Sequence, residues 1–244
     1  MKKVLIINSS FRKKNTYKVL KSIEDIFKGK DIEVEYLHLH EYDIKDCYGC
    51  EVCILKGMCS INDDMIKIIE KIENCDGIII STPVYMNNLS GKLKTFFDRT
   101  CEWFHRPRIP GKPVLLVATT ASSGLSSTFK VMNSIMLQWG TNVTGTIGRK
   151  ISRINQKVDY KEVEKFIHTL KGEIGDYRPS LNQLITFQVQ KILAENVFPL
   201  DKEYWENQGW INNIYFYSSK INFFKKIISR LFYKILKRNV KPCV

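Results

Sequence analysis

Short apolar runs rich in β-branched residues alternate five times with segments of helical periodicity. That alternation restricts the chain to a parallel sheet covered by helices on both faces. The runs are KVLIIN (3–8), IEVEYLHL (32–39), DGIIIST (76–82), KPVLLVATT (112–120) and the weaker TNVTGTIG (141–148). Apolar residues recur at helical spacing over 15–27, 63–73, 91–104, 124–139 and 157–172. Asn62 or Asp63 is placed to cap the second of these helices and Gly140 to stop the fourth. After GDYR and Pro179 the character changes. Residues 181–197 are helical, 198–210 aromatic and irregular, and 220–238 helical again. The expected organisation is an α/β domain over 1–178 and a helical C-terminal extension over 179–244.

The chain has 244 residues, 44% apolar and 26% charged, which supports a sizeable core and excludes wholesale disorder. No apolar run approaches the length of a membrane span. MKKVLIINSS lacks the long apolar stretch and small-residue cleavage site of a leader, so its apolar part is expected to be a buried strand. Seven cysteines, clustered in such a chain, point to a reducing cytoplasm and to metal-binding or redox use rather than disulfides. The net charge of +13 is uneven: Lys220 to Val244 holds eight Lys or Arg and no acid, leaving +5 (13 less 8) on the other 219 residues. One basic tail therefore explains the charge, and no nucleic-acid partner is expected. Within that tail Phe224, Ile227, Ile228, Leu231 and Ile235 form one stripe, with lysines and Arg230 opposite. The favoured reading packs this helix on the body or on a second subunit. Peripheral membrane contact through 220–238 is the alternative, not favoured.

Ligands of an open α/β sheet sit beyond the carboxyl ends of its strands. The first such loop, NSSFRKKNT, has no glycine, which disfavours a dinucleotide fold and favours the flavodoxin-like order 2-1-3-4-5. It offers Ser9, Ser10, Asn15 and Thr16 beside Arg12, Lys13 and Lys14. That chemistry suits a phosphate monoester such as that of FMN, although Asn15 or Thr16 as a plain helix cap explains it too. In STPVYMNNLSG (81–91), Tyr85 after Pro83 and Val84 can stack on a flavin. The amides near Met86, Asn87 and Asn88 can donate to its ring, while Ser90 can cap the next helix. TTASSG (119–124) is a small, amide-rich loop that permits close approach.

INSSFRKKNT followed by DDM and DGIIISTPVYMNNLSGKLKTFFDR resembles the flavodoxin-like NAD(P)H-dependent FMN reductases, over about residues 1 to 150. The spacing C-x2-C-x2-C-x5-C of Cys47, Cys50, Cys53 and Cys59 narrows the resemblance to the iron–sulfur flavoprotein branch. The first loop is one residue shorter than the family pattern. The resemblance implies a doubly wound five-stranded sheet and FMN, with its phosphate at Ser9, Ser10, Arg12, Asn15 and Thr16. Pro83, Val84, Tyr85, Met86, Asn87 and Asn88 would line the ring. Thr119, Thr120, Ser122, Ser123 and Gly124 would close the other side. It also implies a homodimer or homotetramer with the flavin near a subunit interface.

Four thiolates at this spacing within 46–62 can ligate one [4Fe–4S] cluster, and Gly49 and Gly57 let the backbone fold tightly around it. Structural zinc more often uses two separated C-x-x-C pairs, and a chain that keeps the cysteines without a metal is the third option. Cys75 and Cys101 are expected to be packing residues and Cys243 free. His38, His40 and His168 are expected to be structural. Trp103, His105, Arg106 and Arg108, in a basic aromatic loop, either meet an anionic donor or form a plain surface loop.

The resulting expectation is an FMN-dependent oxidoreductase relaying electrons between a [4Fe–4S] cluster and FMN, with NAD(P)H as donor. A ferredoxin or a small molecule would be the redox partner. No catalytic side chain is required, because the flavin N5 carries the chemistry. The alternatives are an NAD(P)H-dependent FMN, quinone or nitro-compound reductase without a functional cluster, and a pure electron carrier docking through its basic tail.

Overall fold

The computed structural model describes residues 1–240; Cys243 lies outside the described residues. Strands β1 (Lys2–Asn8), β2 (Ile32–His38), β3 (Gly77–Pro83), β4 (Pro113–Thr120) and β5 (Asn142–Lys150) form one parallel sheet. Its order is 2-1-3-4-5, as expected. The chain leaves β1 toward one edge to form β2 and returns across it to form β3, so the crevice of this topology opens beside β1 and β3.

Among the described residues, nine helices cover and extend the sheet: α1 (Asn15–Phe27), α2 (Val52–Lys56), α3 (Met65–Glu73), α4 (Gly91–Asp98), α5 (Leu125–Gln138), α6 (Tyr160–Lys171), α7 (Leu181–Asn196), α8 (Pro199–Asn207) and α9 (Phe223–Asn239). Successive strand residues point to opposite faces. Leu5, Ile7, Ile78 and Ile80 pack with Ile68, Phe96 and Met132 of α3, α4 and α5. Val4, Ile6, Ile79 and Leu115 pack with Ile23, Phe27 and Phe166 of α1 and α6. Truncating one such side chain to Ala costs about 2–5 kcal/mol.

Four local expectations change. The helix over 91–104 stops at Asp98, because Arg99 turns toward Asp63 and the Thr100 hydroxyl bonds the Phe97 carbonyl. A 3-10 turn, Cys101–Phe104, follows and buries Trp103 against Trp139, ring centroids 4.6 Å apart. Helix α3 begins at Met65 rather than directly after Asn62 or Asp63, although Asp63 Oδ1 still accepts from the Met65 N–H at 3.0 Å. A five-residue helix, α2, lies inside the cysteine segment. Residues read as irregular form α8, which starts on Pro199 and buries Trp205. Gly140, at φ +70°, follows α5 as expected.

The extension has its own aromatic cluster around Leu184, Phe187, Trp205, Trp210, Tyr215 and Phe216. It docks on the body through polar contacts to backbone carbonyls. Trp205 Nε1 donates to His105 at 2.8 Å, Tyr204 OH to Pro107 at 3.0 Å, and Gln190 Nε2 to Phe104 and Gln138, both at 2.9 Å. Asp201, 1% exposed, receives Arg106 Nη1 and lies 3.0 Å from His105 Nδ1. Trp103, His105 and Arg106 are thus engaged inside the protein, while Arg108 stays exposed and pairs with Glu73 at 2.5 Å. Among the described residues no helix is long and apolar enough to cross a membrane.

Candidate functional site

The carboxyl ends of β1, β3 and β4 open on a cleft of about 340 Å³. Ser10, Arg12, Asn15 and Thr16 line it from the first loop, Pro83, Val84 and Tyr85 from the third, and Thr119 and Thr120 from β4. Thr16 Oγ1 and Thr119 Oγ1, 2.7 Å apart, tie the first loop to the fourth strand. The loop is folded on itself: Ser10 N–H donates to Asn8 Oδ1 at 3.1 Å, and Ser10 Oγ to the Arg12 carbonyl at 2.9 Å. No side chain caps α1, so neither Asn15 nor Thr16 plays the plain capping role. The first N–H groups of that helix, with Arg12 and Lys14 beside them, form a positive end suited to an anion.

Ser9 sits beneath the cleft rather than in its wall. It is 1% exposed; its Oγ donates to the Ser81 carbonyl at 3.0 Å and accepts from Ser90 Oγ at 2.9 Å. His40 Nε2, 3.2 Å from the Ser9 carbonyl, and His38 Nδ1, 3.1 Å from Asn8 Nδ2, brace the same strand end. Burial, aided by Lys13, lowers the pKa of His38, which favours its neutral form. Both histidines are structural, as expected.

Tyr85 to Asn88 form a tight turn. The Tyr85 and Asn88 N–H groups each donate to the other's carbonyl at 2.9 Å. Met86 (φ 49°) and Asn87 (φ 60°) are both left-handed, the signature of a type I′ turn. A non-glycine residue there costs about 1–2 kcal/mol, and such strain persists where surroundings hold it. Here Ser127 Oγ donates to the Asn87 carbonyl at 2.6 Å and Leu89 N–H to Asn88 Oδ1 at 2.8 Å. Gly124, at φ +89°, allows the fourth loop to approach: a Cβ there would lie 2.7 Å from Val84 Cγ1 and 2.9 Å from Asn87 Cα. Thr120 Oγ1 donates to the Ser123 carbonyl within the same loop. Met86, Asn87, Asn88, Ser122, Ser123 and Gly124 lie outside the cleft wall, and Met86 is 97% exposed. Ser90 caps α4 by accepting from Leu93 N–H at 3.4 Å, as expected.

Lys14, Ala121 and Ile151 also line the cleft. Ile151 was not foreseen because the fifth strand runs to Lys150, past its expected end at 148, and carries the next loop to the same edge. The strand-end rule applied to β5 would have found it.

In the cysteine segment Cys47, Cys50 and Cys59 are exposed and Cys53 is half-buried. Gly49 (φ 63°) and Gly57 (φ 79°) are left-handed, as their proposed turning role requires, and so is Glu51 (φ 58°). The Val52 N–H and the Ser60 hydroxyl hold the Cys50 thiol below its usual pKa. Burial, reinforced by Cys101, Cys59, Glu102 and Cys47, pushes the Cys53 thiol up to about 11. Cys101 is therefore not a packing residue: it is exposed and stands beside this segment. Cys75 does pack, donating its thiol to the Ile72 carbonyl at 3.2 Å. Arg99 Nη2 donates to Cys59 Sγ at 3.4 Å, and Arg106 grips the Cys53 and Ile54 carbonyls at 2.5 and 3.2 Å. Among the described residues no three His, Cys, Asp or Glu side chains converge as a metal-holding group. In donor chemistry the segment fits a thiolate-ligated centre: four sulfurs, a backbone with left-handed turns and an N–H donor aimed at one sulfur.

A family model described as NADPH-dependent FMN reductase matches residues 2–152. An iron–sulfur flavoprotein of Archaeoglobus fulgidus is 44% identical over 98 residues, 40% of this chain and 48% of that one. The chain thus spans about half the length of that relative. A second iron–sulfur flavoprotein of Archaeoglobus fulgidus is 27% identical over 222 residues, 86% of this chain and all of that one. The crystal structure of RosB with a bound 8-demethyl-8-formylriboflavin-5′-phosphate intermediate shares the fold. Its TM-score is 0.55 at 12% identity, covering 91% of this chain and 92% of that one.

Proposed function

Because this chain belongs to the NADPH-dependent FMN reductase family, in its iron–sulfur flavoprotein branch, we propose that it relays electrons between FMN and a [4Fe–4S] cluster, with NAD(P)H as donor. The observation that carries this reading is the convergence of Ser10, Arg12, Asn15 and Thr16 with Tyr85 and Thr119 on one cleft. The Arg12 guanidinium, the Thr16 hydroxyl and the uncapped start of α1 would bind a terminal phosphate, joined by the Ser10 hydroxyl once it leaves the Arg12 carbonyl. The half-exposed Tyr85 ring offers a flat stacking face. The Tyr85 and Asn88 amides are spent on each other, so the Met86 and Asn87 amides are the donors left to the ring edge. The loop of Ser122, Ser123 and Gly124 closes the opposite side. Ser9 acts from below by fixing the end of β1 against β3. When bound, FMN accepts two electrons together and releases them singly, which is why the cleft needs no acid or nucleophile.

Cys47, Cys50, Cys53 and Cys59 would hold the cluster, with the Arg99 N–H on the Cys59 sulfur. A ferredoxin-like protein or a small molecule would serve as acceptor. Assembly into two or four copies would cover the exposed Tyr85 and Met86. The test is anaerobic reduction: NADH or NADPH should bleach the flavin, and Cys50→Ser should lose iron and one-electron output while keeping the bleaching. No bleaching by either nucleotide would remove the reading. A second reading, a reductase without a functional cluster, is favoured by the three exposed thiols; Cys→Ser variants with full output to one-electron acceptors would select it.

A further inference from the structure

We propose that α9 seats the protein peripherally on an anionic lipid surface. The apolar stripe of this helix, expected to pack on the body or on a second subunit, faces away from the body in the structure. Phe224, Ile227, Ile228, Leu231 and Ile235 are 72%, 38%, 45%, 54% and 57% exposed. The helix is held to α7 by its other face. Buried Ser229 accepts from Gln188 Nε2 at 3.1 Å, and Tyr233 OH donates to Glu195 Oε2 at 2.7 Å. Ser229 and Tyr233, four residues apart, share a side of the helix, and the stripe lies across from them. The body therefore cannot cover the stripe without surrendering those contacts.

The choice of occupant follows from charge. Arg230, Lys234 and Arg238 are exposed at successive four-residue steps, forming a row that runs beside the stripe. Lys220 to Val244 contains no acid. A second copy meeting this face with its own would bring another basic row and nothing to offset it. Anionic headgroups neutralise the row while the acyl boundary takes the phenyl and branched side chains. A contiguous apolar stripe of this kind is otherwise unfavourable in water. With no helix able to cross a bilayer among the described residues, the contact is at the surface.

The experiment is flotation of the full chain with two kinds of vesicle, phosphatidylcholine alone and phosphatidylcholine mixed with phosphatidylglycerol, at low and high salt. The protein should float with the phosphatidylglycerol vesicles at low salt, and about tenfold less at high salt. Leu231→Glu should abolish flotation. The pair Arg230→Gln and Lys234→Gln should weaken it about tenfold or more, with the near-ultraviolet signal of buried Trp205 and Trp210 unchanged. Absence of flotation at low salt overturns the proposal, as does equal flotation with both vesicle types. So does a wild-type oligomer that Leu231→Glu dissociates without any vesicle, which would give the stripe to a second copy.

Discussion

Arg99 and Asp63, 36 residues apart in sequence, face each other with side chains each 1% exposed, and the same guanidinium reaches Cys59 Sγ at 3.4 Å. One ion pair thus joins the end of α4, the start of α3 and the last cysteine of the segment.

Breaking that pair should be costly, because the remaining charge is left buried. Arg99→Ala should destabilise the fold by about 3–5 kcal/mol, read from urea melts. Burial alone would raise the Asp63 carboxyl, but the donors of Arg99, Lys45 and Met65 outweigh it and hold it below the usual carboxylate range. The folded-state pKa is then lower than the unfolded one, about 3.9. Its stabilisation is present above about pH 4 and is lost as the pH falls through the folded value. Wild type should therefore lose stability more steeply below about pH 4 than Asp63→Asn does.

Arg12→Ala removes an exposed side chain from the cleft wall. If it meets a phosphate, FMN should bind about 10–100-fold more weakly, the value of a charge-assisted hydrogen bond. Riboflavin, which lacks the phosphate, should bind as before. Fluorescence titration of both ligands reads the difference; equal losses for both would remove Arg12 from the phosphate site.

Gly124→Ala tests the closeness of the third and fourth loops. The new Cβ would sit 2.9 Å from Asn87 Cα at a φ of +89°. A loss of about 1–2 kcal/mol in stability and about tenfold in FMN affinity is expected, by thermal melting and titration.

Asp201→Ala should loosen the cysteine segment from the far side. Buried Asp201 holds Arg106, and Arg106 holds the Cys53 and Ile54 carbonyls. Amide exchange over α2 should rise about tenfold or more, in line with the loss of a buried pair, while the amides of β4 keep their protection.

The sheet was legible in the sequence because each strand is a compact apolar run and each crossover a periodic helix. The order followed from a first loop without glycine. The cleft was legible for the same reason: strand ends are countable, and hydroxyls, amides and a tyrosine stand at three of them. What stayed hidden depends on contacts distant in sequence. Ser9 looks like any loop serine until Ser81 and Ser90 claim its hydroxyl. Helix α2 rests on left-handed Glu51 and Gly57 at its two ends and has too few turns for a periodic signal. Helix α8 did carry one, Pro199 at its start, masked by the aromatic residues that build the extension's core. The apolar stripe of α9 was seen, but which side of an amphipathic helix meets its neighbour is decided by partners such as Gln188 and Glu195.

The most direct measurement is the visible spectrum of protein purified without oxygen, with FMN, iron and sulfide assayed on the same sample. Flavin bands on a broad absorption near about 400 nm are expected, with one FMN and about four irons per chain, the content of a single thiolate-bound [4Fe–4S] centre. Flavin without iron would contradict the cluster and leave a simple reductase. No flavin after reconstitution would contradict the site itself.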